Sequence, residues 1–221
     1  MHLTIADEHL ILLPQRALYW PAQQLLVIAD IHFGKAASFR ALGVPVPVGT
    51  TAQNLAALDA LMAQHPVAHI LFLGDFLHSR AAHARTTLDA IRAWRARHAG
   101  LRLTLVRGNH DDRAGDPPPE LQINVVDEPH AIGPFVFCHH PQESALGHVL
   151  AGHVHPVHRL RAAGDSARLP CFVIGARSSV LPSFGAFTGG YAVTAGDGER
   201  LYVVADDGVF EVPAARRRWG R

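Results

Sequence analysis

Asp30-Ile31-His32, Gly74-Asp75, Gly108-Asn109-His110-Asp111, His139-His140 and Gly152-His153-Val154-His155 follow one another along the chain. They supply carboxylate, imidazole and one amide oxygen, the donor types that suit manganese, iron or zinc better than calcium or a thiolate-seeking metal. Two divalent ions about 3.5 to 4 Å apart need an anionic oxygen between them, and Asp75 is the candidate bridge. Two ions at +2, offset by two carboxylates and one hydroxide, leave a centre near about +1, a fitting host for a phosphate ester. The chemistry expected is hydrolysis, with a metal-bridging hydroxide attacking phosphorus. A lone Asp-x-His or His-x-His is more often a surface or core arrangement. The ordered combination is what points to a site.

Each cluster ends an apolar run, so the polar residues should gather where strands end, the place at which α/β folds build active sites. Leu25–Ala29 and Ile70–Leu73 read as strands buried on both faces, and Leu103–Val106 as a third. Between them, Leu55, Leu58, Leu61 and Met62 recur at helical spacing after a Thr50 or Thr51 cap, and Leu88, Ile91 and Trp94 repeat the period over 85–98. Strand and helix alternation implies a parallel sheet with right-handed crossovers. His9 to Trp20 reads as a strand pair across a turn. After Asp111 the prolines at 117–119 favour an extended loop, and the short apolar runs beyond it make the C-terminal half β-rich. The pattern predicts two sheets facing each other with helices outside, in a single domain over 1–221.

The length allows a sizeable core, and a formal charge of +1 argues against nucleic-acid binding through bulk charge, so any such contact must be local. No apolar stretch reaches the roughly 18 residues that cross a bilayer, and no secretory leader is visible, so a cytoplasmic protein without membrane attachment is expected. Cys138 and Cys171 sit in apolar surroundings as buried reduced thiols rather than a disulfide. Arg216–Arg218 reads as a solvated end. Among 20 basic residues only Lys35 is lysine. Its compact ammonium suits a phosphate, though one lysine left by chance is the plainer reading.

In their order and spacing the clusters resemble the motif series of the calcineurin-like metallophosphoesterases: Asp-x-His, Gly-Asp, Gly-Asn-His-Asp, His and Gly-His-x-His. The resemblance implies a four-layer αββα sandwich with two mixed β-sheets. Carried across by position, it gives one metal Asp30, His32, Asp75 and His155. The other metal takes Asp75, Asn109, His139 and His153, and His110 is left as a non-ligand catalytic residue oriented by Asp111. His78 stands where many members carry an acid, and would contact a metal-bound water or substrate. Either His139 or His140 could be the ligand at that pair, His139 having the favoured position. Lys35, Arg40, Arg80 and His140 would meet substrate. Phe184 and Phe187 read as core aromatics.

Residues 30–40, 74–79, 170–172 and 181–190 narrow the likeness to bacterial DNA-ligase-associated metallophosphoesterases. That implies two divalent ions, Mn2+ above Fe or Zn, and a DNA endonuclease of repair acting with a DNA ligase, a helicase and a nuclease. A phosphodiesterase of small, for instance cyclic, nucleotides is the competing reading. A non-catalytic scaffold is the third, against which the complete ligand set stands.

Overall fold

The computed structural model describes residues 1–46, 48–162, 165–206 and 208–213. The tail Arg216–Arg218 lies outside them. The first sheet runs in chain order. β1 (His2–Ile5), β2 (Glu8–Leu13), β3 (Ala17–Trp20) and β4 (Leu25–Ala29) pair antiparallel, the β2–β3 hairpin being the expected strand pair. From β4 through β5 (His69–Leu73), β6 (Arg102–Val106) and β7 (Ile123–Val126) the strands are parallel.

Alternate side chains of the central strands feed two separate cores. Leu26 and Ile28, with Ile70 and Phe72, face the helices; Val27 and Ala29, with Leu71 and Leu73, face the second sheet. Neither face meets water, which is why these strands read as unbroken apolar runs. α2 (Thr50–Gln64) and α3 (Arg85–Arg97) cover the outer face with Leu55, Leu58, Leu61, Ile91 and Trp94. Truncating a fully buried residue such as Leu58 to Ala costs about 2–5 kcal/mol. No threonine hydroxyl caps α2. The helix starts at Thr50 itself, because Gly49 in the left-handed region (φ 85°) already turns the chain inward. Two further helices, α1 (Lys35–Ala41) and α4 (Asn109–Ala114), carry too few residues to show a period in the sequence. α4 occupies the start of what was expected to be an extended loop.

The second sheet mixes β8 (His130–Ile132), β9 (Phe135–Phe137), β10 (His148–Ala151), β11 (Pro156–Ala162), β12 (Asp165–Ile174), β13 (Ser178–Val180) and β14 (Tyr191–Ala192). β10 lies parallel to β9 and β13, whereas β11 and β12 form an antiparallel hairpin. β15 (Arg200–Ala205) joins β12 and β16 (Gly208–Glu211) joins β15. Between the sheets, Trp20 meets Phe135 edge-on at 4.9 Å while its indole N–H donates to Glu8 at 2.9 Å. Burying an aromatic with its polar atom partnered is what makes it a net gain. Both cysteines are free and buried, as expected, and burial pushes the Cys171 thiol up to about 12. The ends of β4, β5, β6, β9 and β10 deliver the five polar clusters.

Candidate metal centre

The loops that leave β4 and β5 are zipped together by backbone. His32 N–H donates to the Asp75 carbonyl at 2.9 Å, Phe33 N–H to Phe76 at 2.8 Å, and His78 N–H to Phe33 at 3.1 Å. The segment after β6 is tied to them chiefly through a buried carboxylate: Asp111 accepts the N–H groups of Phe76 (3.0 Å), Leu77 (3.1 Å) and Gly108 (3.0 Å). Burial pushes its pKa up to about 6 against the pull of those donors. Close approach depends on two glycines. A Cβ on Gly74 would fall 2.2 Å from His139 Nδ1, and one on Gly108 would fall 2.6 Å from the Asp75 carboxylate.

The clusters meet around Asp75. Asp30, His32, Asp75 and His155 each offer a ligand atom, all within 4.8 Å of one another, and His139, His140 and His153 do the same. The two oxygens of Asp75 address different groups: Oδ2 lies 3.6 Å from His32 Nε2 and Oδ1 lies 3.5 Å from His139 Nε2. Asn109 Oδ1 sits 2.9 Å from that same His139 nitrogen. His32 Nε2 and His155 Nε2 approach to 3.4 Å. Lone pairs on nitrogen and anionic oxygen gathered this closely repel unless protons or cations lie between them. The donor set therefore fits divalent ions held by mixed nitrogen and oxygen ligands.

Surrounding contacts orient the candidate donors. His139 Nδ1–H donates to the Leu73 carbonyl at 3.0 Å, which turns Nε2 toward Asp75 and Asn109. His78 Nδ1 lies 3.4 Å from His32 Nδ1, so it bears on the far side of that ring and leaves His32 Nε2 facing Asp75. Burial, then the Lys35 ammonium and neighbouring imidazoles, hold the His32 pKa far below its ordinary value. Burial, then Lys35 and His110, bring His78 down to about 4. Both rings are then neutral near pH 7, the state in which an imidazole can bind a metal. His110 stacks on His78 with centroids 4.7 Å apart, and its Nδ1–H donates to the His78 carbonyl at 2.7 Å. The contact orienting His110 is therefore that carbonyl, while Asp111 holds backbone. His110 Nε2 points inward, 3.9 Å from Asp75 Oδ2.

Five of these residues pay for their placement with backbone strain: Asp30 (φ 51°), His32 (50°), Asp75 (51°), His153 (68°) and His155 (50°) all occupy the left-handed region. Each costs on the order of 1–3 kcal/mol, and such outliers cluster at functional sites.

The remaining expected residues scatter around this centre. Lys35 is half-buried at the start of α1; burial lowers its pKa against the pull of Asp75 and Asp30. Arg40 is exposed in the last turn of α1, and Arg80 is exposed with its Nε donating to the Arg113 carbonyl at 3.3 Å. Phe184 is core, whereas Phe187 is half-buried against Phe39 at 5.9 Å. His140 is held by Glu128, whose Oε1 lies 2.7 Å from its Nδ1 and whose Oε2 accepts the N–H groups of His139 (2.6 Å) and His140 (3.0 Å). Burial raises the Glu128 carboxyl, but these hydrogen bonds outweigh it and hold the pKa below its usual value. Glu128 carries no local motif that sequence reading could have found. Asn54 and Ser183 are of the same kind. The Asn54 side chain donates to the Ile31 carbonyl (3.0 Å) and accepts Ala186 N–H (2.9 Å), and the Ser183 hydroxyl donates to the Asp30 carbonyl (2.8 Å). A buried polar residue at 54 amid an apolar helical stripe was the one available signal.

A family profile for calcineurin-like phosphoesterases matches residues 24–158, the span that holds every candidate metal donor described above. The chain belongs to that family. It is a hydrolase of phosphoester bonds, a family chemistry that uses divalent metals. Among solved structures, the nuclease MPE of Pseudomonas putida is 45% identical, with a TM-score of 0.86 over 96% of this chain and 99% of that one. A Vps29 double mutant from Entamoeba histolytica aligns at 15% identity over 85% of this chain and 96% of that one, with a TM-score of 0.34. No curated protein matches the chain. For this calcineurin-like phosphoesterase, no helix among the described residues is long and apolar enough to cross a membrane.

Proposed function

We propose that this phosphoesterase is a two-metal phosphodiesterase that cuts DNA internally. The observation that carries the reading is Asp75, whose two oxygens face two separate donor groups, in a chain 45% identical to a nuclease along nearly its whole length. Asp30, His32, Asp75 and His155 would hold one ion, and Asp75, Asn109, His139 and His153 the other; such donors suit manganese, iron or zinc, and the sequence resemblance favours Mn2+. When bound, such ions supply a water acidified toward neutral pH and positive charge for the phosphoryl oxygens.

The chain's own residues do the rest. His110, anchored through Nδ1–H, keeps Nε2 facing the centre and in its protonated form hands a proton to the leaving oxygen. The Lys35 ammonium offers a compact charge to a phosphoryl oxygen, and Arg40, Arg80 and His140 border the route by which substrate arrives. His78 fixes His32 rather than reacting. A repair setting shared with a DNA ligase, a helicase and another nuclease extends this reading from the sequence resemblance.

The test is product analysis with manganese-loaded protein on single-stranded, duplex and hairpin DNA, beside a cyclic nucleotide and a small diester. Internal cuts in DNA support the reading. Fast turnover of the cyclic nucleotide with intact DNA would replace it with a small-nucleotide phosphodiesterase, and no turnover of any substrate would leave a scaffold.

A further inference from the structure

The β11–β12 hairpin departs directly from the metal centre, since β11 begins at Pro156, the residue after His155. In its register Arg159 lies directly opposite Arg168. Like charges across an antiparallel pair are destabilising, and partners in register share a face. Arg161, two residues on, falls on that same face. Three guanidinium groups thus converge, and among the described residues no carboxylate pairs with any of them. They line a shallow cleft of about 570 Å³ together with Ala192–Thr194. Arg168 is drawn toward the site: its guanidinium donates to the Gly190 carbonyl at 2.7 Å, next to Tyr191, whose N–H donates to the carbonyl of His155 at 2.9 Å. Tyr191 itself leaves 70% of its surface in solvent.

A chain of formal charge +1 has no general surplus of cations to place here. Uncompensated arginines in a cleft beside an exposed aromatic fit one ligand chemistry, a polyanion bearing flat bases. Resting on the nuclease reading above, we propose that this hairpin is a nucleic-acid track. Arg159, Arg161 and Arg168 grip backbone phosphates of a single strand outside the scissile position, with Tyr191 stacking on a base. Arg159 stands four residues past His155, roughly 13 Å along an extended strand, so the phosphates it meets are not the one being cut.

Cleavage of a single-stranded 20-mer by the manganese-loaded protein, followed as kcat/KM against salt, tests the track. Arg159→Gln with Arg161→Gln should lower kcat/KM roughly tenfold near 0.1 M salt, through KM, and flatten the log–log salt slope by about 1.4, or 0.7 for each phosphate no longer neutralised. Arg159→Lys with Arg161→Lys keeps both charges and should restore most of the loss. Tyr191→Ala should weaken KM without moving the slope, because stacking releases no counterions. A wild-type slope in the glutamine variant overturns the proposal, leaving the arginines as guards of a sheet edge or as a surface for a protein. Equal losses in the lysine and glutamine variants overturn it in favour of packing. If the wild type hydrolyses bis(4-nitrophenyl) phosphate but no oligonucleotide, the nuclease reading itself falls and the track with it.

Discussion

Nδ1 of His153 faces Nε2 of His139 across 3.0 Å. Two imidazoles that close share either a proton or a cation, and burial followed by the neighbouring His139 and His140 rings holds the His153 pKa below its ordinary value. A cation is then the better partner near neutral pH. Thermal melting of chelator-treated protein should rise on adding Mn2+, by ~5–10 °C when the metal is a hundredfold above its dissociation constant. His153→Ala should shrink that rise. An identical melting curve with and without metal would sink the assignment.

Asp75→Ala and His110→Ala should fail differently. The first removes the carboxylate between the donor groups, so both metal content and diester hydrolysis should disappear. The second leaves those donors in place, so metal should remain while kcat falls by about 10²–10⁴. Metal analysis paired with a diester assay separates them. Normal turnover in either variant contradicts its proposed role.

Asp111 is the knot between two ligand loops, holding three backbone N–H groups. Asp111→Asn turns one acceptor into a donor facing those groups. Stability in urea should drop by about 1–3 kcal/mol, and hydrolysis should fall with it although no metal donor has changed. Unaltered unfolding in this variant would mean that the loops hold without the carboxylate.

His69 gives a pH dependence remote from the centre. It is buried, its Nε2 lies 2.9 Å from Thr104 Oγ1, and burial, then Arg102 and His130, lower its pKa from 6.5 to about 4. Above pH 6.5 both folded and unfolded chains carry the neutral ring and its full contribution is present. As pH falls from 6.5 toward 4 the unfolded chain takes up a proton that the folded one refuses, and stability is lost. Comparing melting of wild type and His69→Gln over that window should show a steeper decline in the wild type; parallel curves would falsify the linkage.

The central strands, the two outer helices and the residues that gather around Asp75 were legible in the sequence because each rests on a local pattern, whereas strands such as β1, β7 and β8 were not. An unbroken run such as Leu25–Ala29 announces a doubly buried strand, and Gly-Asn-His-Asp announces a tight exit lined with ligands. Nor was it legible what holds those donors in place. Glu128 reaches His139 from 11 residues away, Asn54 reaches Ala186 from 132, and Ser183 reaches Asp30 from 153. None of these pairings has a sequence period. Asp111 was expected to orient His110 and instead ties two loops, since a carboxylate buried next to three free N–H groups is claimed by them first. His78, expected at substrate or water, meets His32 at 3.4 Å and stacks on His110, a position that its sequence neighbours do not announce.

The left-handed backbone at Asp30, His32, Asp75, His153 and His155 has an evolutionary edge. At each position glycine would relieve the conformation, so drift toward a sturdier fold runs directly against keeping the donors. Asp30 and Asp75 have a second hold, since they accept the N–H groups of His153 and His110. A descendant freed from its substrate should therefore shed His32, His153 and His155 first, and gain stability as it does so.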